Sequence, residues 1–160
     1  MTSREKLQII GDYIEKNYGS KLQSQVSINH RFIISEGAKS PEADIFIEGN
    51  NGTQIAFELE SNQPHPDTNV IKYWRWIKEH NIRNRIVLIH IYGSLFNNEN
   101  YIARVRNTDF VAQQIKAKNF QYFSLKCLVD RFDKKEYFEF GPKVRRVLFR
   151  NLGPILKAEL

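Results

Sequence analysis

Apolar residues recur at three- and four-residue intervals through residues 4–18, where Leu7, Ile10, Ile14 and Tyr18 share one side and Gly19 offers a stop. A first amphipathic helix is expected there. The period then shortens, and residues 23–34 alternate enough for a strand. Residues 43–47 and 54–60 follow as two segments rich in strand formers, separated by a polar turn containing Asn50, Asn51 and Gly52. Asparagine and glycine tolerate positive φ, so the pair reads as a hairpin. Residues 70–80 return to helical spacing behind Asp67-Thr68-Asn69, which has N-cap chemistry. Residues 85–92 are almost continuously apolar, the pattern of a central strand buried on both faces. Beyond them the expectation is a polar loop at 94–100, a helix at 108–118 capped by Thr108 or Asn107, and a strand at 120–129. A last amphipathic helix over 143–157 carries Val144, Val147, Leu148, Leu152 and Ile155, and is expected to kink or end near Gly153-Pro154.

This order makes an α/β chain, and its 160 residues are expected to form one domain with a sizeable core. No apolar run approaches the roughly 20 residues of a membrane span. The amino-terminal residues lead into a helix without a signal-peptide core, so a cytoplasmic setting is expected. Cys127 is the only cysteine, which excludes an internal disulfide and reads as a small residue in a strand. The formal charge of +6 favours a polyanionic partner. Its cations gather at residues 75–85, 104–118 and 143–157, where the helical stripe bearing Lys143, Arg145, Arg146 and Arg150 would follow a phosphate backbone or be solvated.

Chemistry enters with Asp44, Glu58 and Glu60. Side chains alternate along a strand, so Glu58 and Glu60 share a face about 6.6 Å apart, and antiparallel pairing across the turn would bring Asp44 beside Glu58. Carboxylates in this arrangement suit a hard ion such as Mg2+, which polarises a phosphodiester and activates water. An ordinary hairpin with an acidic solvated face has the same pattern.

Pro41-Glu42-Ala43-Asp44, an apolar strand, a turn, a second strand ending in Glu58-Leu59-Glu60 and a following helix together resemble the core of the PD-(D/E)xK nuclease superfamily. The resemblance covers about residues 4–92 and implies a restriction-endonuclease-like αβββαβ core. In that core a mixed central sheet is flanked by helices, with residues from about 93 to 160 as a C-terminal α/β extension. It implies that Asp44 and Glu58 bind Mg2+ or Mn2+, and that Glu60 occupies the usual lysine position and completes the metal shell or orients water. Lys72 on the next helix is then the substitute cation, although a solvated charged stripe with Arg75 and Glu79 is its alternative. Relatives of this fold sometimes add a first-helix glutamate, which draws notice to Glu5 and Glu15, with surface solvation as their ordinary role.

His65 in a loop and His90 on the apolar run are expected to be a bystander and a core residue. Phosphate loops, paired zinc ligands and nucleophile elbows are absent from the sequence, which argues against nucleotide-driven motors, zinc hydrolases and α/β-hydrolases. The expected activity is metal-dependent DNA cleavage, with a homodimer to cut both strands. The rival is a catalytically inactive module of the same fold that binds nucleic acid or assembles with a protein partner; another alternative is a protein-interaction surface at Tyr73, Trp74 and Trp76.

Overall fold

The computed structural model describes residues 1–31, 42–60, 65–93, 99–115, 118–126 and 140–160. Expectations for the loop at 36–41 and for Cys127 lie outside the described residues. In chain order the elements are α1 (Ser3–Tyr18), a 3-10 turn (Gly19–Lys21), β1 (Ser27–Arg31), β2 (Glu42–Glu48), β3 (Gln54–Glu60), α2 (Asp67–Glu79), β4 (Ile86–Tyr92), α3 (Glu99–Gln114), β5 (Phe120–Lys126) and α4 (Pro142–Glu159). The five strands lie in the order β1-β2-β3-β4-β5. The first three pair antiparallel, and β4 and β5 continue parallel to β3.

Connection length explains this mixture. A tight turn closes β2 onto β3, with Gly52 at φ 79 and Gly52 N donating to the Gly49 carbonyl. The later strands are separated by α2 and α3, as parallel crossovers require. Helices therefore flank the sheet on both faces. Leu7, Ile10 and Ile14 of α1 pack with Val144, Leu148, Leu152 and Leu156 of α4 over Ile45, Phe57, Val87 and Ile89. On the other face Val70, Tyr73, Trp76 and Ile77 of α2 join Ala112 of α3 over Ala56 and Leu88. Covered on both sides, β4 is buried at every position. Residues beyond 93 thus supply an edge strand and one wall of the larger core. No helix among the described residues is long and apolar enough to cross a membrane.

Three local expectations change. Asp67, Thr68 and Asn69 lie inside the first turn of α2, and Pro66 occupies the N-cap without a side-chain cap bond. Thr108 does not start a helix: α3 already runs from Glu99, and Thr108 Oγ1 donates back to the Arg104 carbonyl at 2.8 Å. Helix α4 passes through Gly153-Pro154 without ending. Pro154 is exposed, so its missing N–H forfeits one intrahelical bond on the solvent side. On the inner side Tyr18 donates its hydroxyl to the Gly153 carbonyl at 3.0 Å, while Leu152 and Leu156 stay buried.

Candidate active site at the β2–β3 fork

Both ladders around Asp44 are interrupted. Recorded β2–β3 pairs run from Glu48↔Gln54 to Ile45↔Phe57 and stop there, although β2 begins at Glu42 and β3 continues to Glu60. Continuing that register would set Asp44 opposite Glu58. On the other side, the pairs Ile28↔Ile45 and His30↔Ala43 flank Asn29, whose φ of 54° lies in the left-handed region. Asparagine is among the few residues that adopt it readily, and such strain inside a strand marks a position fixed by its surroundings.

Two side chains close the fork. Asp44 Oδ2 accepts the Leu59 backbone N–H at 2.7 Å, replacing a lost ladder bond. From α2, Lys72 Nζ donates to the Glu42 carbonyl at 2.7 Å and to Glu58 Oε1 at 2.8 Å, bridging β2 to β3. Tyr73 OH donates to the same Glu58 oxygen at 2.7 Å. One turn earlier on the helix, Asn69 Nδ2 donates to Glu60 Oε1 at 2.6 Å. Asn69, Lys72 and Tyr73 therefore form one i, i+3, i+4 stripe facing the acids.

Glu58 and Glu60 are 5% and 1% exposed, so desolvation dominates their electrostatics. Burial pushes the Glu58 carboxyl up to about 7, against the pull of Lys72 and with a further push from Asp44. It also raises Asp44, opposed by the Leu59 N–H and the Lys72 charge, and raises Glu60, opposed by Asn69. Tyr73 is held well above its ordinary value by burial and by the Glu58 charge. His90, beside Glu58 in the parallel register, is lowered to about 3 by burial and then by Lys72.

Asp44, Glu58 and Glu60 thus gather at one end of β3, where Lys72 of α2 meets them. The stripe of α2 expected to join Lys72 with Arg75 and Glu79 divides instead. Arg75 and Glu79 pair at 2.6 Å on the exposed surface, while Lys72 reaches inward. Glu5 caps its own helix through Thr2, and Glu15 accepts the Val26 N–H. From α1 it is Ser3 and Lys6 that line a cavity of about 100 Å3 with Leu7, Asp44 and Leu59. His65 is exposed and serves through its carbonyl, which accepts Thr68 Oγ1 at 2.7 Å. Tyr73 is fully buried and Trp76 nearly so.

Asn69 and Tyr73 were not singled out as site residues from sequence. Their separation from Lys72 by three residues and one residue was the available signal, but it becomes informative only once the helix face is known.

Carboxylate oxygens are the kind of donor that a hard divalent ion takes. Glu60 Oε2 is buried without a hydrogen-bond partner, and an uncompensated carboxylate oxygen calls for a proton or a cation. In the present arrangement Lys72 supplies the positive charge, and among the described residues no three His, Cys, Asp or Glu side chains converge as an ion-holding group. No protein-family model matches this chain, and no curated protein matches it in sequence.

Proposed function

We propose that this chain is a restriction-endonuclease-like nuclease of the PD-(D/E)xK type, hydrolysing DNA phosphodiester bonds with Mg2+ or Mn2+ in a cytoplasmic setting. The observation that supports it is the meeting of Asp44, Glu58 and Lys72 at a break in the sheet, with an uncompensated Glu60 oxygen beside them. Asp44 and Glu58 would hold the ion, with Glu60 completing its shell. When bound, the ion supplies polarisation of the phosphodiester and a lowered pKa for attacking water.

The chain's own residues do the positioning. Tyr73 fixes Glu58 through its hydroxyl, and Asn69 fixes Glu60. Lys72, released from Glu58 Oε1, brings its ammonium to the developing phosphate charge, the task of the lysine that Glu60 replaces in the family pattern. The test is cleavage of supercoiled plasmid in Mg2+ or Mn2+ with EDTA as control. Glu58→Ala should abolish cutting while the variant remains folded; undiminished cutting by the folded variant would overturn the assignment. Two sites are needed to cut both strands, so a homodimer is proposed, and a monomer by light scattering at micromolar concentration would count against it.

A second reading has its own observation. Lys72 is bonded to Glu58 and Glu42, and Asp44 to Leu59, so the fork is held together as it stands. A non-catalytic module that binds nucleic acid or assembles with a protein partner needs no more. Calorimetric Mg2+ or Mn2+ binding that disappears in Asp44→Asn and Glu58→Gln favours the nuclease; retained DNA affinity without metal binding favours the module.

A further inference from the structure

Next to the fork, on the same face of the sheet, α3 and β5 enclose a cavity of about 400 Å3 lined by Asp109, Ala112, Gln113, Phe120, Tyr122 and Ser124. That volume falls within the roughly 300–1,000 Å3 range of small-molecule sites. Its floor is aromatic, and Asp109 Oδ1 is buried without a hydrogen bond. Burial raises the Asp109 carboxyl against the Tyr122 hydroxyl, the Lys126 charge and the Ser124 hydroxyl. A carboxylate only accepts when ionised, so a ligand offering N–H donors would satisfy it.

Position sets the scale. Glu58 on β3, His90 on β4 and Ser124 on β5 stand in one row across the sheet. Adjacent strands are about 4.8 Å apart, so Ser124 lies roughly 10 Å from Glu58. A base attached to a phosphate at the fork can span that gap. Polar contacts run from the cavity to His90, the register neighbour of Glu58. His90 Nδ1 lies 3.0 Å from Tyr92 OH, and Tyr92 OH lies 3.3 Å from Tyr122 OH.

We propose that the α3–β5 cavity is a nucleobase pocket, taking an unstacked guanine from the nucleotide next to the phosphate bound at the fork. Guanine is the base whose pairing edge carries two adjacent donors, N1–H and N2–H2, matching the acceptor-only Asp109. Phe120 and Tyr122 offer aromatic surface for its ring, as in other pockets that receive extruded bases. The placement beside a phosphate rests on the nuclease reading; recognition of the base by Asp109 does not.

The experiment is an NMR titration with a thymine oligonucleotide carrying one guanine, in Ca2+ to suppress turnover, alongside deoxyguanosine monophosphate and an all-thymine oligonucleotide. Shifts should centre on Phe120, Tyr122 and Ser124. The guanine oligonucleotide should bind more tightly than either comparison ligand. Asp109→Asn should cost roughly tenfold, the discrimination of one good base contact, and Ser124→Ala should weaken binding with the fold intact.

Shifts elsewhere, or affinity untouched by both variants, would overturn the pocket. Equal affinity for the free monophosphate and the guanine oligonucleotide would overturn the link to a polynucleotide. Plasmid cleavage is assayed in parallel to separate the two readings. Cleavage without guanine binding removes the pocket and leaves the nuclease; guanine binding that persists in Glu58→Gln, without cleavage in the parent, removes the nuclease and leaves the pocket.

Discussion

Glu58 Oε1 accepts from both Lys72 and Tyr73, and this sharing decides what each neighbour is worth. Removing the ammonium leaves a buried carboxyl that must be protonated or pay the desolvation cost of its charge. Lys72→Met should therefore destabilise the protein by about 2 kcal/mol in urea titrations, with the loss growing above neutral pH. Combining it with Glu58→Gln should recover much of that loss; simple additivity of the two would show that the contact carries no coupling. The pH dependence of the metal-free protein includes two opposed contributions. Glu58 rises from 4.5 to about 7 on folding, so its contribution favours the folded state below 4.5 and is lost as pH climbs through 7. His90 falls from 6.5 to about 3, so its contribution is present above 6.5 and is lost as pH drops through 3. The two oppose each other between 4.5 and 6.5. Thermal melts of Glu58→Gln should accordingly gain more Tm than the parent over that interval as pH rises, and matching slopes would refute the Glu58 assignment.

At the level of elements, α4 is the clearest case of a late segment that the core depends on. Its Val144, Leu148, Leu152 and Leu156 are all buried against α1 and the sheet. Leu152→Ala should cost about 2–5 kcal/mol in chemical denaturation, the usual range for a buried leucine; a loss under 1 kcal/mol would mean that α4 is only loosely seated. The chain's pattern made most elements legible. The apolar run of β4 reports burial directly, because its neighbours on both faces act on every residue, whereas the alternation of β3 separates its two faces without revealing that Glu58 and Glu60 are buried. Helix α4 was read over nearly its observed length, with Val144, Leu148 and Leu152 on its buried side, but it does not end at Gly153-Pro154, a local stop signal outweighed by Tyr18 and by two buried leucines. Helix α3 was placed too late because Thr108 looks like a cap, whereas its hydroxyl is used by the preceding turn. The acids of the site were legible from alternation. The break in pairing at Asp44 was not, because it depends on Asn29 and Lys72 arriving from other elements.

Across the whole molecule, one of the three cation clusters, that of α4, is set apart from the chemistry, while the clusters at 75–85 and 104–118 lie on and beside α2 and α3. Glu58, Glu60 and the α3–β5 cavity belong to the face covered by α2 and α3, while Asp44 also borders α1 at Ser3, Lys6 and Leu7. Lys143, Arg146, Arg150 and Lys157 are exposed on α4, which covers the opposite face. DNA engaged at the fork would feel those cations only across the thickness of the domain, beyond the screening distance of about 8 Å at physiological salt. Arg146→Glu with Arg150→Glu should thus change the slope of log affinity against log salt by less than one. Two lost phosphate contacts would instead change it by nearly two, and that result would move the DNA to the α4 face.

The double grip of Lys72 has a kinetic corollary. Its ammonium holds a backbone oxygen of β2 and a carboxylate of β3 together, so it must release Glu58 Oε1 before that oxygen is free for another cation. Under the nuclease reading, Lys72 acts as a gate. In stopped-flow mixing the observed rate should level off at high Mn2+ concentration, at the frequency with which the lysine swings away. Lys72→Met should remove that plateau and let the rate rise in proportion to the ion.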